Sequence, residues 1–270
     1  MTPRRLTLIL GSFLLLSGGA AVLLVQVQLA MGVPADLINL AMLAVVGGAV
    51  LVWMLWPDTR RVTVTRRDPM RSVYLAVFFA ALVVVALAYL TRKDSVGGWL
   101  TPHLDNLPTS LAVLLALQLL AAFAEELGWR GLVQPLLERR FPVIWAGIIT
   151  GLLSAVGYLI VVPETDPTFA VFFILGVVVG SIGLSVTLAV ITTGFTLVHR
   201  VLIATLFRFL LVVGFLLFFA GDDEGWLWEV NSGIALAVVA LVLVRAQRRR
   251  DNMVTLADRY GTAAEQSIVK

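Results

Sequence analysis

Apolar positions in this chain neither alternate nor form one narrow stripe. They fill whole stretches of about 20 residues, set apart by short polar segments. Eight such stretches stand out, at 6–29, 37–56, 73–90, 110–133, 143–162, 169–192, 201–220 and 226–244. Each comes near the ~20 residues a helix needs to cross the hydrocarbon core of a bilayer. A closed barrel is the other spanning architecture, but it needs short alternating segments that this chain lacks. The pattern predicts an all-α protein, a polytopic transmembrane helical bundle of about eight helices.

Composition agrees with that picture. The chain is 60% hydrophobic and only 14% charged, with a mean hydropathy of +0.97. A soluble domain carries roughly 25% charged residues. The formal charge of +3 does not indicate nucleic acid as a partner, because no basic domain stands apart from the apolar stretches. The partner implied is the lipid bilayer. The chain has no cysteine, which removes disulfides and thiolate metal sites from consideration.

The connecting segments supply an orientation. With eight spans, Arg4, Arg5, Arg60, Arg61, Arg66, Arg67, Arg71, Arg139, Arg140, Arg200, Arg245 and Arg248–Arg250 all fall on one side. Asp36, Glu164, Asp166, Asp222, Asp223 and Glu224 fall on the other, and only Arg92 and Lys93 break the pattern. The positive-inside rule then places a multi-pass protein in the cell membrane with both termini cytoplasmic. Trp53, Trp56, Trp99, Trp226 and Trp228 lie near span ends, where interfacial anchors are expected. The first apolar run is longer than the roughly 7–15 residues of a signal-peptide core, so it reads as a retained helix. A single transmembrane domain is expected over 1–250, followed by a short polar cytoplasmic tail over 251–270.

The fourth stretch departs from the rest. Ala124-Glu125-Glu126-Leu127-Gly128-Trp129-Arg130-Gly131 places two carboxylates and a guanidinium in apolar surroundings. Ionised groups there cost at least a few kcal/mol each, on the order of 2.5–3.5, unless paired or wetted. Glu126 and Arg130 are four apart and share a helix face, while Glu125 points about 100° away. Gly128 and Gly131 would let another backbone, or water, come close. The arrangement suits either a self-compensating charge cluster or a carboxylate that polarises water, with Arg130 fixing the other carboxylate or stabilising an oxyanion.

Glu125-Glu126-x-x-x-Arg130-Gly131, followed by Leu132 and Leu136-Leu137, resembles the first motif of the CAAX-protease and bacteriocin-processing (CPBP, or Abi) family of intramembrane endopeptidases. The family-like core covers about 110–220. The resemblance implies peptide-bond hydrolysis in or beside the membrane, on a membrane-embedded or membrane-proximal peptide. It implies Glu125 as the water activator, with Glu126 and Arg130 as its supporting pair. It also raises a divalent metal as a cofactor, although no ligand set is identifiable here.

The family's two histidine positions are not filled. Aligning the next helix puts Ser154 where a phenylalanine is expected and Tyr158 where a histidine is expected. If the two spans turn near Arg140–Phe141, Tyr158 sits at the depth of Glu125 and lines the same cavity. Tyrosine, with a pKa of about 10, is a poor base at neutral pH. After Thr193-Gly194-Phe195-Thr196, Ile203 and Phe207 stand where the second motif's residues would fall. His199 offers a rival Phe-x-x-x-His reading from Phe195, but it lies beside Arg200 at a helix start. His103 falls on the opposite side, so a paired-histidine site is not expected.

Arg208 lies inside the seventh span and needs a partner or a route to water. If that span packs on the fourth, Glu125 is its candidate partner, and an ion pair then stands in for the missing histidines. Two further readings follow from the same residues. One is a degenerate, non-catalytic family relative acting as a membrane partner, chaperone or immunity factor. The other is a transporter, whose glycine-broken helices would recur in both halves. Gly176, Gly180 and Gly183 fit in the second half, but the first half has no counterpart.

Overall fold

The computed structural model describes residues 2–33, 37–60, 69–92, 104, 107, 109–159, 167–219 and 231–247. Among them the regular elements are helical, in the order α1 (Pro3–Ala30), α2 (Ala41–Leu55), a 3-10 turn (Pro57–Arg60), α3 (Pro69–Arg92) and α4 (Leu111–Gly128). A π-helical turn (Trp129–Val133) carries α4 directly into α5 (Gln134–Glu138). There follow α6 (Val143–Leu159), α7 (Pro167–Thr192), α8 (Leu197–Phe219) and α9 (Asn231–Gln247). The helical membrane bundle expected from the sequence is what forms.

The spans sit where hydropathy places them, with a difference in length. Among the described residues five helical segments are long and apolar enough to cross a membrane: α1, α3, the continuous 28-residue Leu111–Glu138 unit, α7 and α8. The stretches that become α2, α6 and α9 form helices of only 15, 17 and 17 residues. Apolarity at 37–40 therefore overstated the helical part of the second stretch. These residues approach α2 in turns, and the expected span ends at 160–162 and 226–230 lie outside the described residues.

Helices pack as neighbours α1 with α2, α3 with α8, and α6 with α7, while α4 lies between α2 and α8. One apolar cluster joins α3, α7, α8 and α9 around Phe79, Leu188, Phe207 and Leu236. A second joins α1, α2, α5 and α6 around Phe13, Val52, Leu136 and Ala146. Glycines bring backbones together where helices meet. A Cβ on Gly151 of α6 would lie 2.5 Å from Ile182 Cα, and one on Gly183 of α7 would lie 2.7 Å from the α9 backbone. The glycines of α7 thus pack the helix, which runs unbroken. The chain turns from α7 to α8 at Gly194, whose φ of 82° suits a residue without a Cβ. Large apolar residues such as Leu15 (79% exposed) and Leu23 (69%) face outward, as a lipid environment permits.

Candidate functional site

α4 is the seam between the two apolar clusters, and its charges lie at mid-depth. Glu125 and Glu126 fall close to the middle of the 28-residue Leu111–Glu138 unit. Arg208 falls at the middle of the 23-residue α8, which packs against α4. The three side chains meet there. Arg208 Nη2 lies 2.6 Å from Glu125 Oε2, and its Nη1 lies 3.5 Å from Glu126 Oε1. Arg130 Nε lies 3.3 Å from Glu126 Oε2, and Arg130 Nη2 donates to Ser185 Oγ of α7 at 3.2 Å. Glu126 is fully buried, and Glu125, Arg130 and Arg208 are at most 6% exposed. Two carboxylates and two guanidiniums cancel in formal charge, which is the condition under which such groups persist in a membrane interior.

The local backbone has a sequence cause. Pro135 has no N–H, and in a regular α-helix its ring would press on the carbonyl of Gly131. The helix widens just before it instead. The Gln134 N–H donates to Trp129 O, five residues back, which is the π-helical spacing. Arg130 is carried on this turn. Gly128 lets α2 close in, since a Cβ there would come within 2.3 Å of Val45 Cγ1 and 3.0 Å of Val45 O. Gly131 has ordinary room, with Trp53 and Val201 at 3.4 Å. The expected close approach thus occurs at Gly128 and not at Gly131.

On the side away from Arg208, Glu125 borders a cavity of about 160 Å³. Its walls come from α1 (Ser17, Gly18), α2 (Met42, Val45), the π turn (Trp129) and α6 (Ser154). The Trp129 ring meets Phe13 edge-on at 5.4 Å. Among the described residues Glu125 is the one acidic residue on the cavity wall, and it is engaged by Arg208.

A second buried pair escaped sequence reasoning. Arg200, expected as a basic flank, is only 1% exposed, and its Nη1 and Nη2 lie 2.8 Å from Glu138 Oε2. Gln134 Nε2 donates to Glu138 Oε1 at 2.7 Å. The available signal was the recurrence of Glu126, Arg130, Gln134 and Glu138 at every fourth position. Nearby, Arg5 pairs with Asp58 at 3.0 Å, and Arg139 donates to the carbonyls of Asp58 and Thr59. These contacts tie α1, α2, α5 and α8 together at one end of the bundle.

Of the remaining candidates, His199 is not brought to the glutamates. His199 is exposed in the first turn of α8, with Nδ1 2.7 Å from Thr196 Oγ1. It precedes Arg208 by nine residues, roughly 13 Å along a helix. Tyr158 lies on α6, with its side chain outside the described residues, and His103 lies outside them altogether. The arrangement does not fit a divalent metal. Among the described residues no three His, Cys, Asp or Glu side chains converge. Both carboxylates also face guanidiniums, whose charge opposes a further cation.

Residues 107–185 match the family model described as Rce1-like, type II CAAX prenyl endopeptidase Rce1-like. The match contains α4, the π turn, α5, α6 and most of α7, and agrees with the family resemblance carried by Glu125-Glu126-x-x-x-Arg130. A comparison with curated proteins finds no match to the chain. The chain is a multi-pass membrane protein, and its residues 107–185 are similar to that family.

Proposed function

We propose that this CAAX-protease-like chain works as a non-hydrolytic membrane partner, in which the glutamate pair clamps helices instead of activating water. The observation that carries the reading is Arg208, which reaches Glu125 at 2.6 Å and Glu126 at 3.5 Å. A general base needs a free lone pair within reach of a water and a substrate. Here one oxygen of the Glu125 carboxylate is turned to a cation on the facing helix. The histidines that would share the work in the family are replaced by Tyr158 on one helix and by Ile203 on the other. A single membrane domain over 1–250 with both termini cytoplasmic accompanies the reading. It is supported by Arg5, Arg139 and Arg200 lying at one end of the bundle.

Proteolysis is the second reading, favoured by the cavity that reaches Glu125. Glu125→Gln separates the two. A clamp predicts that Glu125→Gln lowers thermal stability and that Glu125→Gln/Arg208→Gln recovers part of it. A catalytic carboxylate predicts stability unchanged or raised, since active-site groups are commonly held at a cost to stability. Purified wild type is assayed in parallel on farnesylated C-terminal peptides, with and without zinc. Cleavage by wild type that disappears in Glu125→Gln overturns the non-hydrolytic reading. Because the chain has no native cysteine, single introduced cysteines near Arg4 and Arg248 give a clean labelling test of which side the termini face.

A further inference from the structure

The Glu126 cluster and the Glu138 pair lie one above the other on a single face. Glu126, Arg130, Gln134 and Glu138 follow each other at four-residue intervals, so successive side chains are neighbours. The first three are at most 1% exposed. The Glu138 side chain is 14% exposed, so the row opens at the bundle end that carries exposed Arg139 and Arg140.

Hydrogen-bonding capacity is left over along this row, and it is complementary in kind. Gln134 gives its amide N–H to Glu138, while its Oε1 has no hydrogen-bond partner among the described residues. Arg130 directs Nε to Glu126 and Nη2 to Ser185, while its Nη1 has none. Arg200 directs both Nη groups to Glu138, while its Nε has none. Gln134 comes one turn after Arg130 and one turn before the Glu138–Arg200 pair. An acceptor therefore stands between two donors. Buried polar groups of this kind are satisfied by ordered water where protein atoms do not reach.

We propose that this row binds a file of internal water, running from the Glu138 end of the bundle to Glu126. One molecule accepts from Arg130 Nη1 and donates to Gln134 Oε1, and another accepts from Arg200 Nε. The file hydrates the buried guanidiniums and gives water a route to mid-membrane from the basic end. It is distinct from the apolar cavity on the far side of Glu125, and it stands whether or not Glu125 hydrolyses anything.

The test uses the full chain in lipid nanodiscs, exposed to X-ray-generated hydroxyl radicals in H2 18O and read by mass spectrometry. Radicals formed from bound water oxidise side chains beside it. Leu137 follows Gln134 by three residues and is 2% exposed, while Leu188 and Leu87, both 0% exposed, lie in apolar clusters. The file predicts 18O labelling of Leu137 several-fold above Leu188 and Leu87, lowered to their level by Gln134→Leu. Labelling of Leu137 no higher than Leu188 in wild type overturns the proposal. So does labelling that Gln134→Leu leaves unchanged. If Gln134→Leu does not fold, the wild-type comparison decides alone.

Discussion

Replacing Arg208 by leucine isolates the ion cluster. The substitution leaves two carboxylates facing one guanidinium, a formal charge of −1 in a region at most 6% exposed. Glu125 loses its 2.6 Å contact, and Glu126 keeps Arg130 at 3.3 Å. Removing one member of a buried pair costs roughly 3–5 kcal/mol, most of it from the charge left behind. Against a net stability of about 5–15 kcal/mol that is a large fraction. At ~2–4 °C per kcal/mol for a chain of this size, the melting temperature falls by about 10 °C. Replacing both partners by apolar residues is often neutral, so Arg208→Leu/Glu125→Leu recovers most of the loss. The assay is thermal unfolding of detergent-solubilised protein, followed by the survival of a monodisperse chromatographic peak. A single variant within about 1 kcal/mol of wild type refutes the clamp, as does a double variant no better than the single, because coupling across a real contact is ~0.5–3 kcal/mol.

Three further outcomes follow from the packing. Gly128→Ala presses its Cβ to 2.3 Å from Val45 Cγ1 and costs about 1–3 kcal/mol in thermal unfolding, whereas Gly131→Ala, with its neighbours at 3.4 Å, is tolerated; equal effects would contradict the seam. Gly151→Ala drives a Cβ to 2.5 Å from the Ile182 backbone, which cannot rotate away, and the melting temperature drops more than for Gly157→Ala, where the nearest atom is 4.0 Å distant. His199→Ala, at an exposed helix start, changes stability by no more than about 0.5 kcal/mol, and a loss of any cleavage activity in this variant would restore the histidine to the site.

The membrane setting was legible because a bilayer leaves the chain little choice. Unpaired backbone groups cannot be exposed to lipid, so long apolar runs become helices. Glu125, Glu126 and Arg130 were legible for the same reason, as charges stand out where the surroundings are apolar. Arg208 was legible as a problem needing a partner. The Glu138–Arg200 pair was not, because 62 residues separate its members and each sits where a solvated flank is also expected. The π turn was hidden too: Pro135 announces a disturbance, but a kink and a wider turn both accommodate it. The late start of α2 was missed because hydropathy reports solvent preference and carries no information on where hydrogen bonding stops.

The spacing of the ion cluster along the chain has a consequence for biosynthesis. Glu126 and Arg208 are 82 residues apart, so α4 is complete well before its partner exists. At ~5–20 residues per second of synthesis, the wait is roughly 4–16 s. During it, α4 and the π turn that continues it carry two carboxylates and one arginine, and insertion scales penalise a mid-helix charge by about 2.5–3.5 kcal/mol. Such a helix is poorly retained in lipid alone. It is expected to linger at the insertion machinery, or against α2, until α8 arrives with its arginine. The pair that closes the finished bundle therefore also sets the order in which the bundle can be assembled.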